Sequence, residues 1–480
     1  MKICLLNDSF PPVIDGVVNA VLNYASVLNH DGHDVMVGTP WYPDTDYSIY
    51  PYKVVTYPSL NTSMLTGGYR AGYPFPVEEM AKMASFQPEI IHTHCPISSA
   101  FIARSLRDTL GAPVILTWHT KYDMDVHNSI HDPLIAAESI KAIVHNASAC
   151  DEVWAVSHGA GENLKSLGYE GDVRVMLNGV DFEKGRSAEA EIEEACRDYD
   201  LPADIPVFLF VGRLVNYKGL PLLIDAFRIL AKTNDFRMVF IGKGTDRDSL
   251  ISKIKEYGFS CDVREENGDI TSHPGSSENG RFIFTGPIRD RNILRAWNTR
   301  ADLFLFPSTF DTNGLVVREA AACALASMLI GGSCAAEGIE DGRNGYLIKE
   351  NAEAAAEFLQ YACSHTEELH QAGMHAQDEI YLSWNDAVHT AEKAYAEIHE
   401  KAEAGLYLRD RNLFDDPLYE MSSDAIMRYL NERSKTQPQF SGMLDNLQAT
   451  HDSIAAFLQE CIDQVTDNLP DDLKRILKLY

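Results

Sequence analysis

The sequence predicts an α/β protein of two sequential domains, each with a parallel sheet, followed by a C-terminal helical extension. Short apolar segments alternate with helical patterns along most of the chain, which is typical of parallel strands joined by crossover helices. The alternation stops near residue 180 and starts again, and 480 residues are too many for one hydrophobic core. Domains of this kind bind ligands in the cleft between them, at the carboxyl ends of their strands.

The first series places a domain at residues 1–180. Short apolar runs predict strands at residues 2–6, 34–38, 53–57, 90–93, 114–117 and 152–155. The apolar spacing over residues 17–29 predicts a helix after the first strand. The start of the chain is predicted as a strand rather than a signal peptide, because polar residues and two prolines follow it at once.

The second series places a domain at residues 181–385. Its apolar runs predict strands at residues 207–211, 237–241, 281–285, 303–306 and 328–330. Residues 261–280 are rich in Gly, Ser, Asn and Pro, which predicts an inserted surface loop. A long helical pattern occupies residues 386–405, and amphipathic helices over residues 406–480 are expected to form the helical extension.

Composition and charge argue against several classes of protein. The formal net charge of −29 argues against nucleic-acid partners and against strong attraction to an anionic membrane. No apolar run approaches the roughly 20 residues that span a bilayer, and the nine cysteines contain no CxxC pair. We therefore expect a cytoplasmic protein with reduced cysteines. A peripheral contact with the inner face of the membrane is left open.

Residues 311–319, Asp-Thr-Asn-Gly-Leu-Val-Val-Arg-Glu, are the most informative stretch of the chain. They place Asp311 in a loop before a helix and Glu319 inside that helix. Asn313 and Gly314 leave the backbone between the two acids free to approach a ligand, and the N–H groups at a helix start form an anion site. Two acids beside an anion site suit a nucleotide diphosphate-sugar, which has hydroxylated ends and a charged middle.

Basic and glycine residues follow the first two strands of the second domain. Arg213 and Lys218 come just after the strand at 207–211, where they can bind phosphate oxygens. Two solvated surface charges are the simpler interpretation of this pair. Gly242 follows the strand at 237–241, where it either lets the backbone approach a ligand closely or forms only a tight turn.

Further candidates follow other strands. The backbone at Ile288 is able to hydrogen-bond a flat base, although a plain turn fits the sequence equally well. Gly16 opens the first helix beside a possible sugar or phosphate, and the absence of a Gly-x-Gly-x-x-Gly fingerprint there argues against NAD and FAD. His94 and His119 each follow a strand at the cleft, without the His-x-x-x-His spacing of a helical metal site. For His94 a structural role and a functional role are equally open.

The spacing Asp311-x7-Glu319 is similar to the acidic-x7-Glu motif of glycosyltransferase family 4, a family of retaining enzymes with the GT-B fold. Other parts of the family pattern match in the same order: Gly212-Arg213-Leu214 with Lys218-Gly219, Phe284-Thr285-Gly286, Pro307-Ser308, Gly331-Gly332, Glu337 and Asp341-Gly342-Arg343-Asn344-Gly345. The resemblance covers about residues 1–400. It implies two Rossmann-like domains facing a cleft, with the helix from residue 386 crossing back to the first domain.

The resemblance implies a role for each matching residue. Arg213 and Lys218 would bind the diphosphate, and Glu319 would bind the ribose hydroxyls. Asp311 would contact the donor sugar, and His119 would lie near the reacting carbon, so these two are the expected catalytic residues. The remaining residues of the expected donor site are Gly16, Gly242, Ile288, Asn313, Gly314, Leu315 and Val316.

Three positions depart from the family pattern. Asp311 stands where the family often has Glu, so its side chain is one methylene shorter. The glycine pair of the first loop is reduced to Asp15-Gly16, and Ala324-Leu325-Ala326 stands where the family usually has Gly-x-Pro. The first two departures bear on the geometry and identity of the donor sugar.

The resemblance predicts a retaining glycosyltransferase that moves a hexose, with glucose favoured, from a UDP-sugar to a diacylglycerol-like lipid or a small-molecule acceptor. No metal and no cofactor are expected. Residues 65–75, with Tyr69, Tyr73 and Phe75, are candidates to line an acceptor pocket or to contact a membrane surface. The alternatives are a UDP-sugar epimerase of the same architecture and a non-catalytic nucleotide-sugar-binding protein. The sequence does not indicate the oligomeric state.

Overall fold

Two sheets organise the protein. The computed structural model describes residues 1–62, 68–130, 132–407 and 428. The strands of the first half are β1 Lys2–Leu6, β2 Asp34–Pro40, β3 Lys53–Tyr57, β4 Ser59–Asn61, β5 Arg70–Gly72, β6 Ile90–Thr93, β7 Val114–Trp118, β8 Glu152–Ala155 and β9 Val173–Val175. Seven of them form a parallel sheet in the order β3-β2-β1-β6-β7-β8-β9, whereas β4 and β5 form a separate antiparallel pair.

Helices connect most of these strands. They are α1 Gly16–His30, α2 Val77–Phe86, α3 Ser98–Leu110, α4 Tyr122–Ser129, α5 Pro133–Ser148 and α6 His158–Ser166. Local sequence explains several of their ends. Asp15 caps α1 because its carboxylate accepts from the N–H groups of Val17 and Val18 at 2.8 and 2.7 Å. Helix α3 ends at Gly111, whose φ of 78° is a left-handed conformation that glycine adopts without strain.

The second sheet has eight strands, of which only the β12–β13 pair is antiparallel. Its strands are β10 Val207–Val211, β11 Arg237–Ile241, β12 Ser260–Arg264, β13 Ile270–His273, β14 Arg281–Gly286, β15 Leu303–Phe306, β16 Ser327–Ile330 and β17 Tyr346–Ile348. They lie in the order β13-β12-β14-β11-β10-β15-β16-β17. The central strands bury a set of phenylalanines that includes Phe208, Phe240, Phe282 and Phe304.

The helices of this half are α7 Glu189–Cys196, α8 Leu220–Leu230, α9 Arg247–Glu256, α10 Arg291–Arg300, α11 Leu315–Ala322, α12 Ala352–Ala362 and α13 Thr366–Glu379. Strand and helix alternate as the sequence predicts, because each amphipathic helix buries one face on the sheet beneath it. The predicted class of two α/β units with parallel sheets is therefore confirmed.

The predicted surface loop at residues 261–280 is wrong in part. It contains most of β12 and all of β13, and β12 pairs in parallel with β14. Cys261 and Val263 are buried, while Asp262 between them forms an ion pair of 2.9 Å with Arg281 of the neighbouring strand. Strand β13 is a partly exposed edge with a polar sequence, so the apolar pattern of this region is confined to β12.

The last described helix, α14 Trp384–Glu403, packs on the first sheet. Trp384, Tyr395 and Ile398 are buried in one apolar cluster with residues of β1 and α1. The Tyr395 hydroxyl also lies 2.6 Å from Nδ1 of His92, which belongs to β6. The chain thus leaves the second sheet and completes the core of the first.

Parts of the sequence predictions fall outside the described residues. The predicted helical extension over residues 406–480 does so except for positions 406, 407 and 428, and the candidate acceptor segment does so at residues 65–67. Among the helices that are described, none has the length and apolar character that crossing a membrane requires.

Ala324 has an unusual backbone conformation just after α11. Its φ of 56° is left-handed, a region that disfavours residues with a Cβ atom. This is the position where the family usually has glycine. The chain therefore has the left-handed turn here without the residue that adopts it at little energetic cost.

Ala324→Gly is expected to raise the free energy of unfolding by about 1 kcal/mol, because a left-handed backbone costs an L-residue roughly 1–2 kcal/mol and costs glycine little. Ala322→Gly is the matched control, since Ala322 ends α11 and glycine in a helix costs about 1 kcal/mol. Urea denaturation of both variants measures the difference. Destabilisation of the same size in both would contradict the prediction.

Candidate active site at the facing sheet edges

Loops at the carboxyl ends of both sheets contact each other. Thr312, after β15, donates its hydroxyl to the backbone oxygen of His119, after β7, at 2.8 Å. Lys121 Nζ lies 3.3 Å from the backbone oxygen of Thr309. The strand order reverses at β1–β6 in one sheet and at β10–β15 in the other, and such switch points open a crevice for ligands.

A carboxylate from the second half forms the strongest of these contacts. Glu337 accepts from the backbone N–H groups of His158 and Gly159 at 2.7 and 2.6 Å, at the N-terminus of α6. The packing is close, since a Cβ atom on Gly159 would lie 2.4 Å from Sγ of Cys334. The helix dipole and two charge-assisted hydrogen bonds therefore hold the two halves together.

The start of α11 is a polar cradle with unpartnered groups. Gly314 caps the helix with φ of 58°, and a Cβ atom there would lie 2.8 Å from that of Ala335, so only glycine fits. Among the described residues, no group bonds the side-chain amide atoms of Asn313 or Oδ2 of Asp311, although all three atoms are buried. Buried polar atoms without partners are rare, and these line a helix N-terminus that suits an anion.

Lys218 meets Asp311 in this cradle. Its Nζ lies 2.5 Å from Oδ1 of Asp311, and its side chain is 9% exposed. The short 3-10 helix Asn216–Lys218 presents the lysine, and Gly219 after it has φ of 76° where a Cβ atom would lie 2.5 Å from the oxygen of Pro307. An ammonium group has three donors, so Lys218 can bind a second anion while it contacts Asp311.

Arg213 is the exposed cation of the site. Its guanidinium lies 5.8 Å from the ring centre of Tyr217. Within the described part of the chain it forms no ion pair with a carboxylate, in contrast to Lys218. The structure thus leaves Arg213 available to an anionic ligand.

Glu319 is held by an arginine that the sequence analysis missed. Arg291 Nη2 lies 2.5 Å from Oε1 of Glu319, and the guanidinium lies 4.4 Å from the ring centre of Phe182. Burial raises the pKa of Glu319, and the positive charge of Arg291 opposes that rise. No spacing in the sequence links positions 291 and 319, because the loop after β14 brings them together only in the fold.

The other expected donor residues have different surroundings. Gly242 has φ of 146°, and a Cβ atom there would lie 1.9 Å from the oxygen of Gly212, so the packing of two loops requires glycine whatever the ligand. At Gly16 no atom lies within 4 Å of the position that a Cβ atom would occupy. Ile288 is half-buried against the second core, and Leu315 and Val316 supply the first N–H groups of α11.

His119 and His94 form a buried pair across β6 and β7. Nε2 of His119 lies 3.0 Å from Nδ1 of His94. Burial lowers the pKa of His119 to about 3 and holds the pKa of His94 well below its usual value, so both rings are neutral near pH 7. His127, by contrast, contacts the backbone oxygen of Asp123 in its own helix.

One group of side chains in the described ranges could offer a metal ion three ligand atoms, and it consists of Asp31, His389 and Glu392. It lies where α1 ends and meets α14, at the amino edge of the first sheet. It therefore lies at the opposite edge of the sheet from the cleft, which is at the carboxyl edge.

Family models match both halves of the chain. The model described as Glycosyltransferase Family 4 matches residues 14–184, and the model described as Glycosyl transferases group 1 matches residues 205–365. The chain is a family 4 glycosyltransferase. The resemblance drawn from residues 311–319 and from the matching pattern around them is thereby confirmed.

This family 4 glycosyltransferase has relatives with different names. It is 25% identical over 381 residues to a protein named GDP-mannose-dependent alpha-mannosyltransferase from Corynebacterium glutamicum, with 76% of this chain and 82% of that protein covered. It is 23% identical over 366 residues to a protein named Alpha-monoglucosyldiacylglycerol synthase from Acholeplasma laidlawii, with 74% and 86% covered.

Solved structures confirm the GT-B fold of this family 4 glycosyltransferase. The Anabaena protein HepE, crystallised with UDP and glucose, matches with a TM-score of 0.61 and 18% identity, covering 83% of this chain and 100% of that one. Sucrose-phosphate synthase from Thermosynechococcus elongatus matches with a TM-score of 0.61 and 17% identity, covering 83% and 98%.

Glu337→Ala is expected to open the cleft of this glycosyltransferase, because it removes two hydrogen bonds and a helix cap worth about 1–2 kcal/mol. Small-angle X-ray scattering should then report a larger radius of gyration. Glu340→Ala is the matched control, since the Glu340 side chain is 73% exposed and contacts Arg343 in its own loop. Identical scattering from the two variants would show that Glu337 does not hold the halves together.

Acidification is expected to destabilise the first sheet through its buried histidines. The unfolded chain binds a proton at His119 with a pKa of about 6.5, whereas folded His119 stays neutral down to about pH 3, so stability falls as pH falls. Between about pH 7 and pH 5 this histidine should account for about 2 kcal/mol. Urea denaturation should show a smaller pH dependence in His119→Asn and an unchanged one in the exposed control His370→Gln; equal pH dependence in all three proteins would contradict this.

Proposed function

We propose that the protein is a retaining glycosyltransferase that moves a hexose, with glucose favoured, from a UDP-sugar to a lipid or small hydroxylated acceptor. The observation that carries the proposal is the cradle at α11. There Asp311 and Asn313 have buried polar atoms that no group in the described part of the chain bonds, beside Lys218 and a helix N-terminus. A nucleotide diphosphate-sugar supplies the anionic and hydroxylated groups that these atoms lack.

The diphosphate would bind at Arg213, Lys218 and the first N–H groups of α11. Departure of a nucleoside diphosphate leaves negative charge on its phosphates, and preorganised cations and backbone N–H groups stabilise that charge. Arg213 supplies a planar fork for two oxygens, and Lys218 supplies a compact charge. These two side chains provide the positive charge that a metal ion provides at other phosphate sites, so we propose that no metal and no cofactor takes part.

The two ends of the donor would bind the acids. Glu319 would accept from the ribose hydroxyls, and its contact with Arg291 favours the ionised form that accepts two hydrogen bonds. Asp311 and Asn313 would bind hydroxyls of the sugar. The backbone at Ile288 would bind the base, and Gly16 leaves open space over the phosphates.

Chemistry would take place between Asp311 and His119. Each belongs to a different half of the molecule, and the bond from Thr312 to the His119 oxygen brings the two loops together. We propose that attack and departure occur on the same face of the sugar, which retains the anomeric configuration. Closure of the cleft would exclude water and so limit hydrolysis of the donor.

The donor base and sugar are a proposal that the relatives support unevenly. HepE was crystallised with UDP and glucose, and a relative carries the name of a glucosyl lipid synthase, whereas another carries the name of a GDP-mannose enzyme. Incubation with UDP-glucose, UDP-N-acetylglucosamine and GDP-mannose in parallel tests the choice. Transfer from GDP-mannose alone would overturn the UDP-hexose part of the proposal.

The acceptor would bind at the carboxyl edge of the first sheet. Asp8, after β1, is half-buried, and its Oδ1 accepts from the N–H of Ser99 at 2.7 Å. Its Oδ2 is buried and has no partner among the described residues. Trp41 and Ile97, in the loops after β2 and β6, are about half exposed at 47% and 53%. A buried carboxylate oxygen at a sheet edge that also carries exposed apolar side chains favours an acceptor with a hydroxylated head and an apolar body. We therefore propose a diacylglycerol-like lipid reached by peripheral contact with the inner face of the membrane.

The alternative functions differ in their products. An epimerase would convert UDP-N-acetylglucosamine without an acceptor, and a non-catalytic binding protein would bind the donor without turnover. Product analysis with the donor alone, and then with diacylglycerol or a soluble sugar, separates the three functions. Glycoside formed only when an acceptor is present supports the transferase.

Arg213→Ala and Glu319→Ala are each expected to lower kcat/KM for the donor by about 100-fold or more, because each removes a charged group from the diphosphate or the ribose. Arg228→Ala is the matched control. Its guanidinium lies 4.3 Å from the ring centre of Tyr257, on the surface of α8, so its activity should match the wild type. Near-normal turnover in both site variants would refute the donor site.

A further inference from the structure

The bond between His94 and His119 has a direction that the surroundings determine. Both rings are buried, and burial lowers both pKa values, so each ring carries one proton. Two neutral imidazoles share a hydrogen bond only if one nitrogen donates and the other accepts. The 3.0 Å contact joins Nδ1 of His94 to Nε2 of His119, so either His94 or His119 is the donor.

The surroundings of the other ring nitrogen of His94, Nε2, indicate which of these two arrangements is favoured. Nε2 of His94 is buried, and no group among the described residues bonds it. If His119 donated, His94 would carry its proton on this Nε2, and a buried N–H would have no acceptor. If His94 donates from Nδ1, its Nε2 is an unprotonated acceptor without a partner. Among backbone groups, orphaned buried N–H donors are rarer than under-satisfied acceptors. The same preference, applied to the imidazole nitrogens, favours the second arrangement.

The proton of His119 is then on Nδ1. Among the described residues this nitrogen has no hydrogen-bond partner, and it is accessible to solvent. His119 follows β7, and its backbone oxygen binds Thr312 of the opposing half. Its accessible N–H therefore lies at the cleft, beside the loop that carries Asp311.

We propose that His94 is a positioning residue that fixes the tautomer of His119, so that His119 presents Nδ1–H to the donor sugar as a hydrogen-bond donor. This inference rests on the proposed function in so far as it assigns the donor sugar to that side of the cleft. It gives His94 a functional role through His119, with no contact to the substrate. It also makes His119 a donor to a sugar hydroxyl and not a base that removes a proton.

His92 shows why this role belongs to His94. The two rings of His92 and His94 pack with centres 4.1 Å apart, but both nitrogens of His92 have other partners. Nδ1 lies 2.6 Å from the hydroxyl of Tyr395, and Nε2 lies 2.7 Å from the hydroxyl of Thr117. His92 thus supports the ring of His94 from one side, and the ring of Tyr24 lies nearly perpendicular to that of His94, with the ring centres 5.2 Å apart.

The tautomer can be read without any substrate. Nitrogen-15 spectra of the full chain, with ring-labelled histidine and His119 assigned through His119→Gln, distinguish a protonated Nδ1 from a protonated Nε2. We expect Nδ1–H in the wild type and a mixture of both tautomers in His94→Phe. Protonated Nε2 on His119 in the wild type would overturn the inference, whatever the activity.

Activity gives an independent test with two matched variants. An asparagine amide nitrogen takes the place of Nδ1, whereas a glutamine amide nitrogen takes the place of Nε2. His94→Asn should therefore keep most of the wild-type kcat, while His94→Gln and His94→Phe should lower kcat by about tenfold, the effect of one lost hydrogen bond, and change the donor KM little. Equal losses in the Asn and Gln variants would count against the inference.

The two levels of the hypothesis fail in different ways. If the nitrogen spectra show Nδ1–H but no donor is turned over with any acceptor, the proposed transferase function is wrong and the tautomer assignment stands. If transfer occurs and His94→Gln retains full kcat, the transferase stands and the positioning role of His94 is wrong. Far-UV circular dichroism of each variant checks that it is folded.

Discussion

A single carboxylate from one half of the molecule caps a helix of the other half, and the geometry of the cleft depends on it. Glu337 binds two backbone N–H groups at the start of α6, close to where the loops after β7 and β15 meet. Neither half of the molecule contains all the residues of the candidate site. Asp311, Lys218 and Arg213 belong to the second half, and His119 belongs to the first, so their separation depends on this cap and on the bond from Thr312.

The charges of the site are arranged in pairs that a ligand can rearrange. Lys218 is paired with Asp311, and Arg291 is paired with Glu319, each at 2.5 Å. A buried charge without a partner is costly, so these pairs make a polar cleft compatible with a folded protein before a ligand arrives. In the proposed complex the phosphate would share Lys218 with Asp311. The carboxylate would then be less strongly held and better able to accept from a sugar hydroxyl.

The sequence was sufficient for features that depend on local pattern. The apolar runs that became β10, β11 and β15, and the loop-to-helix transition at Gly314, are all encoded within a few neighbouring residues. Features that depend on distant partners were not predictable. Arg291 contacts Glu319, which is 28 positions away in the sequence. Strand β12 lies in a polar stretch of sequence and forms because it pairs in parallel with β14. For Gly242 the sequence left open a close approach to a ligand or a tight turn, whereas in the structure its close contact with Gly212 already requires glycine.

The return of α14 to the first sheet has a consequence for synthesis of the protein on the ribosome. Trp384, Tyr395 and Ile398 fill the core beneath β1, so the amino-terminal unit lacks part of its interior until nearly 400 residues have been translated. The later unit contains all eight strands of its sheet before that point. Vectorial folding would therefore finish the second unit first, and a nascent amino-terminal unit would expose apolar surface for a chaperone to cover in the meantime.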